Sequence, residues 1–414
     1  MLLHTAIFTP LRDHLKKTNS LLHFCASFSH LFIALGILFL PFPYYLFSQQ
    51  GNISAFVFGK SIALLKPFIF ENSSYEAISS DSSSLYVLIL LFIGIALLVQ
   101  VIFRRNQKFQ KYLAQGMRTA MPYYLSIILL KYGIDKVSMS QFYRPEANIL
   151  YTPLGYLDKD ILFWSTLGIS PVYNGFLGFS QIMTGVLLLF KRTRLFGYVL
   201  SLFIVANIVA INMSFDISVK LFSLFLLFTT IIGLLHYASI FKRISQEIKA
   251  NHQKKNAFPK HSFLYPFLKS LGLLFILFEL VYPSIQKKTG LNTGRGYKSL
   301  VGAYEVTETK ENNLLIKNPE VKRIFIHSNG YLIFQDSNDQ MTDYKLQVFK
   351  EKHQMVISDY HSKKTAINYL KEKDIFIIEF VEEAKKYRLT TKILDHTTLP
   401  LLKDAFHWTI DELE

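Results

Sequence analysis

The chain has 414 residues, half of them hydrophobic, with a formal net charge of +15 and a mean hydropathy of +0.25. Its length would suit two or three soluble domains. However, Leu85–Phe103 runs 19 residues and Leu195–Phe215 runs 21 without a charge. A hydrocarbon core about 30 Å thick needs about 20 such residues, so an ordinary soluble protein and a disordered chain are both excluded.

Seven membrane spans are predicted in chain order: Leu21–Phe47, Leu85–Phe103, Ala120–Val137, Pro171–Phe190, Leu195–Ser214, Ser218–Ala238 and Phe263–Tyr282. The first is too long for a signal-peptide core, and Pro41 and Pro43 precede Tyr44-Tyr45 where small residues would be expected. It is read as a retained helix. Its Cys25 is the one cysteine of the chain. An internal disulfide and a Cys-x-x-Cys relay are therefore excluded, and Cys25 is expected to be a small apolar residue in a packed helix. His23 and His30 lie seven apart on this span. With no matching pair assigned to another span, they read as core or interface histidines rather than haem ligands.

Between the first two spans, Ile53–Phe70 is apolar with only Lys60 and Lys66 charged. It is expected to be a short helix at the membrane interface with its lysines reaching outwards. A re-entrant or spanning segment is the alternative. A full span here would invert everything downstream and break the charge pattern. In that pattern the N-terminus, Arg104–Arg118, Lys191–Arg194 and Phe241–Lys260 hold 17 Lys and Arg against Asp13 and Glu247. The positive-inside rule puts these segments in the cytoplasm. The net charge is thus an orientation signal. Arg104–Lys111 and Lys242–Lys260 sit beside helix ends and suit anionic lipid, not nucleic acid.

Ionisable and amide groups inside apolar helices normally face the bundle interior or a wet cavity. Tyr124, Lys131 and Asp135 are spaced seven and four on the third span, where Lys131 and Asp135 can pair. Asn174, Gly178, Gln181 and Gly185 form a small-polar stripe on the fourth that lets another helix approach. Asn207 and Asn212 lie on the fifth, Asp216 in the following turn and Lys220 just inside the sixth. Read structurally, these residues join helices, and Asp216–Lys220 closes a turn. Read functionally, Lys131, Asp135, Arg144, Asp216 and Lys220 collect at the outer end of the bundle and bind an anionic or quinone-like head group. The chain contains no His-Glu-x-x-His, Gly-x-Ser-x-Gly or Gly-x-x-x-x-Gly-Lys, so no metal, nucleotide or hydrolytic chemistry is indicated. No motif assigns a reaction.

From about Gln286 the character changes. This segment has 20 Lys and Arg against 19 Asp and Glu. Arg323–Ile326, Tyr331–Phe334, Tyr344–Phe349, Met355–Ile357, Ile375–Phe380 and Tyr387–Ile393 alternate with the strand period. Ser328-Asn329-Gly330, Asp336–Asp339 and Lys371–Asp374 separate them as turns. An antiparallel meander, closed as a barrel or folded as a sandwich, is predicted.

The stretch Tyr123–Arg243 resembles the DoxX-like membrane proteins, and more closely a bacterial branch with an added N-terminal helix pair. The segments that carry this are Lys131–Lys136, Gln141-Phe142 with Pro145, Pro153–Gly155, Leu162–Trp164 before Gly168, Tyr173–Phe176, Leu187–Thr193, Asn207, Asn212, Phe215-Asp216 and Val219–Ser223. The Pro41-Phe-Pro43 helix end also fits the branch. The resemblance implies a four-helix DoxX-like core from the third to sixth spans. The family takes its name from a subunit of a thiosulfate:quinone oxidoreductase, and relatives are implicated in redox and cofactor maturation. One departure concerns Gln181, where the branch suggests a Glu; a carboxylate proton carrier is absent at that position. The tail from Gly302-Ala-Tyr304 to Phe406-His-Trp408 looks like that of long members, with a lipocalin-like strand pattern.

The expected organisation is therefore mainly α and membrane-embedded. Residues 1–116 form an N-terminal region with two spans, 117–245 the DoxX-like domain, 246–285 a basic linker and seventh span, and 286–414 an extracytoplasmic β domain. The expected setting is the bacterial inner membrane, with the N-terminus cytoplasmic and the β domain periplasmic. Two functions follow. The first is a non-catalytic membrane component whose β domain binds a ligand or protein partner. The second is a redox-linked subunit holding quinone or lipid at Tyr124, Lys131, Asp135, Arg144, Asn174, Gln181, Asn207, Asn212, Asp216 and Lys220.

Overall fold

The structure is a computed structural model that describes residues 23–42, 49–71, 77–237, 298–317 and 319–403, with isolated positions between 274 and 282. The first 22 residues, the basic stretch 238–260, nearly all of the seventh expected span and Phe406-His-Trp408 lie outside the described residues. The chain divides into two compact units: Met1–Gln141 with Val172–Lys287, and Phe142–Pro171 with Lys288–Glu414.

Described helices follow in chain order: α1 His23–Phe39, α2 Gln50–Ile69, α3 Ser83–Phe103, α4 Gln107–Val137, α5 Ala147–Leu150, α6 Lys159–Gly168, α7 Pro171–Leu189, α8 Arg194–Ser214 and α9 Lys220–Leu235. Four of them, α2, α3, α7 and α8, are long and apolar enough to cross a membrane. The third expected span is longer than its sequence suggests. It begins at Gln107 instead of Ala120, so Lys108, Lys111 and Arg118 are helical and the expected boundary at 116/117 falls inside α4. Local chemistry sets the break before it. Ser82 Oγ accepts from Leu85 N at the start of α3 (3.2 Å), and Asn106 Oδ1 accepts from Phe109 N at the start of α4 (3.1 Å), each satisfying an otherwise orphaned first-turn amide.

Among the described residues the main apolar core of the bundle is drawn from α1 (Ile33), α2 (Phe58, Ile62), α3 (Val87, Leu88, Phe92), α4 (Met121, Leu125, Ile128), α7 (Leu188), α8 (Tyr198, Val205) and α9 (Phe225, Leu226), with a smaller cluster of Leu130 and Leu189 between α4 and α7. Glycines set the closest approach. A Cβ on Gly178 would lie 2.6 Å from Gly133 O, and one on Gly185 2.8 Å from Leu130 Cγ. Ser126 Oγ donates to Gly185 O (2.7 Å). The small-polar stripe of α7 therefore receives α4, as the spacing predicts. Cys25, by contrast, is exposed on α1 and not packed as expected, because it lies outside the stripe that meets the other helices.

The ends of α2 explain its character. At one end of the bundle, the Phe42 ring stacks on Phe222 and meets Tyr132 edge-on, and the Asp81 carboxylate accepts from the N–H groups of Lys220 and Leu221. The C-terminal ends of α1 and α4 and the N-terminal ends of α3 and α9 thus share one level. The first residue of α2, Gln50, accepts from Phe42 N (3.0 Å) and donates to Ile37 O and Leu38 O. Phe70, just past its last residue, packs on Tyr86 in the first turn of α3. Its 20 residues have the length of a span, and its two ends meet the C-terminal part of α1 and the first turn of α3. Its outward side chains are large and apolar, with Phe56 89 % and Phe68 84 % exposed.

In the second unit, β1 Gly302–Glu311, β2 Leu314–Leu315, β3 Val321–His327, β4 Tyr331–Asp336, β5 Met341–Phe349, β6 Gln354–Ser358, β7 Lys364–Glu372, β8 Ile375–Glu382 and β9 Lys385–Leu394 are all antiparallel to their neighbours. β1 pairs with β3 along Gly302–Glu305 and with β9 along Ala303–Glu311, with an irregularity between Val306 and Glu308. That double pairing closes eight strands into an up-and-down barrel and removes the free edges; short β2 folds back on the end of β1. The barrel is the closed form of the expected meander. Its interior is filled: Tyr304, Ile324, Leu332, Met355, Ile367, Phe376 and Ile378 pack together, essentially without exposure. An eight-stranded barrel is just wide enough for side chains to fill it, and here they do. β1 and β7 lie outside the six expected bursts, because each adds only two apolar side chains to the barrel core, Tyr304 and Val306 on β1 and Ile367 and Tyr369 on β7.

Candidate functional site

The ten polar candidates fall into separate sets. Lys131 Nζ lies 3.5 Å from Asp135 Oδ2 on α4. Lys220 Nζ lies 2.7 Å from Asp216 Oδ1 and 3.8 Å from Asp81 Oδ2, so the Asp216–Lys220 pair does close the turn into α9. Asn174 is fully buried with its Nδ2 3.0 Å from Met139 Sδ. Tyr124, Gln181 and Asn212 are buried. Among the described residues, Gln181 Oε1 and Asn212 Nδ2 have no hydrogen-bond partner. Asn207 is exposed on the outer surface of α8 and takes no place in the interior. Arg144 belongs to the other unit, where its Nη2 donates to Leu402 O (2.8 Å). A cavity of about 460 Å³ beside α2 and another of about 650 Å³ beside the α3–α4 turn are lined by none of the ten.

Three residues outside the ten candidates make structural contacts. Asp81 caps α9 through its two backbone N–H bonds and holds Lys220. Lys136 is buried and donates to Gln141 Oε1 (2.8 Å). His236, at the end of α9, places its Nε2 3.0 Å from His30 Nε2. His30 is buried, as expected of a core histidine, and its contact is a single histidine. The partner lies at a helix terminus, 206 positions away, which helix periodicity does not reveal.

The most elaborate constellation is in the second unit. Residues 142–171, which join α4 to α7 and were expected within the membrane domain, belong to the barrel's unit, and their segment around α5 packs on the outer wall of the barrel. Ala147 of α5 is buried with Ala303, Phe325 and Ile333, flanked by Tyr151, Tyr331, Met341 and Leu394. The Tyr151 ring stacks on Phe325 (6.0 Å between centroids), and the Arg323 guanidinium lies over the same ring at 4.9 Å. Burial raises the Tyr151 phenol, while Arg323 acts in the opposite direction. Around this apolar seam, polar bonds fix the register. Gln335 Nε2 donates to Tyr151 O (3.0 Å), and the Glu146 carboxylate accepts from Ser328 N (2.9 Å) and from the Ser328 hydroxyl. Glu146 also lies 3.5 Å from His327 Nδ1. Phe142 meets Phe163 and Trp164 edge-on, anchoring α6. The sequence did contain a signal for the seam. Ile324-Phe325-Ile326 and Leu332-Ile333-Phe334 are continuous apolar triplets, the mark of strands buried on both faces. Alternation alone would leave positions 325 and 333 polar.

These features define a membrane protein with a helical bundle and a closed β-barrel domain. Among known proteins, the chain is similar to the "Uncharacterized protein YwoB" of Bacillus subtilis (strain 168), with 37 % identity over 99 residues. The match covers 23 % of this chain and 61 % of that relative, so the chain spans about three fifths of its length. No protein-family model matches the chain, and no solved structure matches it.

Proposed function

We propose that this chain is a non-catalytic component of a bacterial inner membrane, of DoxX-like type, whose barrel lies on the periplasmic side and binds a partner through its outer wall. One observation carries the reading: the barrel grips the connection 142–171 between α4 and α7. A domain packed on a connection between two spans lies on the side where that connection emerges. The basic segments 104–118 and 191–194 flank the opposite ends of the same two helices, which the charge rule assigns to the cytoplasm. The filled interior directs recognition to the barrel exterior, where ion pairs such as Lys386–Glu379 and Arg388–Glu379 lie.

The second reading is quinone binding within the bundle. It is favoured by Gln181 Oε1 and Asn212 Nδ2, buried polar atoms without a partner among the described residues, of which the first would accept from a hydroxyl and the second donate to a carbonyl. Two measurements separate the readings. A photo-crosslinking residue at exposed Tyr360 traps a discrete adduct in the first reading, and its absence there contradicts it. Organic extraction of the purified chain yields quinone in the second reading; no quinone, together with no binding of added analogues, contradicts that one. A periplasmic reporter fused after Glu414 tests the side: it is expected to be active, and activity of a cytoplasmic reporter instead would overturn the orientation.

A further inference from the structure

We propose that the cavity beside the α3–α4 turn binds the phosphate of an anionic phospholipid, with Arg104 and Arg105 as its principal ligands. The cavity has a volume of about 650 Å³ and is lined by Arg104, Arg105, His23, Gln100, Gln107 and Gln110, among others. The turn is a built feature. Gln110 Nε2 donates to Gln100 Oε1 (3.1 Å) and to Phe103 O (3.2 Å), Phe103 packs on Phe109 (4.8 Å between centroids), and Gln100 is 3 % exposed. These contacts hold two consecutive arginines at the mouth of a pocket.

Among the described residues, the charge of the pocket is uncompensated. The sequence has no Asp or Glu from Ser82 to Ile134, and among the described residues no carboxylate pairs with Arg104 or Arg105. Two guanidiniums without a protein anion favour a phosphate, whose oxygens match their planar donors. The surroundings select a lipid over a free anion. The arginines follow directly on the 19 uncharged residues Leu85–Phe103, which puts them at headgroup depth. The surface leading to them is apolar and open: Leu98, Val101 and Ile102 are 61 %, 55 % and 63 % exposed. An acyl chain on that surface would run up to a phosphate in the pocket. This assignment is independent of the side on which the barrel lies.

The test is native mass spectrometry of the full chain in detergent with added phosphatidylglycerol, phosphatidylcholine or inorganic phosphate. Phosphatidylglycerol is expected to be retained about tenfold better than phosphatidylcholine, the scale of about one to two basic contacts at a lipid surface. Arg104→Gln with Arg105→Gln should abolish that preference. Lys108→Gln with Lys111→Gln removes the same charge from exposed α4 positions outside the pocket and should leave it standing. Arg104→Lys with Arg105→Lys, which keeps the charge, should retain part of the preference and show that the fold survives. Equal retention of the two lipids overturns the site. So does an equal loss in the Arg→Gln and Lys→Gln doubles, which would indicate diffuse charge. Inorganic phosphate held as firmly as the lipid overturns the lipid assignment.

Discussion

The bundle and the barrel solve burial in opposite ways. In the bundle, the outward side chains of α2, α3, α7 and α8 are large and apolar, such as Phe56, Ile102, Phe176 and Phe203, while Asn174, Gln181, Ser201, Asn212, Thr229 and Thr230 are buried. In the barrel, the interior is Tyr304, Phe376, Met355 and aliphatic side chains, while Lys385–Glu311, Lys386–Glu379 and Arg388–Glu379 pair on the outside. The same chain is thus patterned for two solvents. Where lipid surrounds a helix, apolar burial gives no net drive, and close glycine approach and polar bonds hold helices together. Where water surrounds a sheet, apolar burial dominates.

This contrast can be broken at specific residues. The largest effect is expected inside the barrel. Phe376 is fully buried against Tyr304 (4.6 Å) and Tyr369 (6.1 Å). Phe376→Ala should cost the barrel about 3–5 kcal/mol. Hydrogen exchange on the full chain should show lost protection across the strands and none in α3 or α8; loss in both would mean that the two regions fold as one. Gly178→Val comes next. Its side chain would strike Gly133 O, and the effect should be about 1–3 kcal/mol. Thermal unfolding in detergent should report this for the bundle, with barrel protection unchanged.

Tyr151→Ala opens the seam between α5 and the barrel. Losing the Phe325 stack and the Arg323 cation–π contact should cost about 1–2 kcal/mol. Limited proteolysis should then cut within 142–171 while the barrel strands stay protected. The smallest effect belongs to Tyr304→Phe, which removes the hydroxyl bond to Leu300 O (2.6 Å) at about 0.5–1.5 kcal/mol. It should also change the alkaline response. Burial raises the Tyr304 phenol from 10.0 to about 12. The folded chain therefore holds a proton that the unfolded chain has released. The stability it contributes is fully present below about pH 10 and is lost as the pH rises to about 12. The Phe variant should lack this loss in alkaline unfolding curves; an unchanged curve would remove Tyr304 from the account.

The fold was legible in the sequence wherever one solvent faced one pattern. The uncharged runs at 85–103 and 195–215 became α3 and α8, and six of the strand bursts became strands. It was less legible where an element served two environments. Basic Gln107–Arg118 looks like a loop by charge, yet its helix continues unbroken into the apolar part of α4. Phe325 and Ile333 look like errors of alternation until α5 covers them. The polar candidates were correctly seen as pairs, Lys131 with Asp135 and Asp216 with Lys220. Their neighbours were not foreseeable from periodicity. Asp81 lies 139 residues from Lys220, and Arg144 finds Leu402 258 residues away.

The central proposal is that the barrel and the α4–α7 connection are periplasmic and the α3–α4 turn is cytoplasmic. Cysteine labelling tests it directly. In a Cys25→Ser background, single cysteines at Asn338 in the barrel, Asp160 in the connection and Lys108 at the turn are treated in intact cells with a membrane-impermeant maleimide. The account predicts that Asn338→Cys and Asp160→Cys label together and that Lys108→Cys labels only after the membrane is opened. Labelling of Lys108→Cys in intact cells together with Asn338→Cys, or of Asp160→Cys without Asn338→Cys, would contradict it.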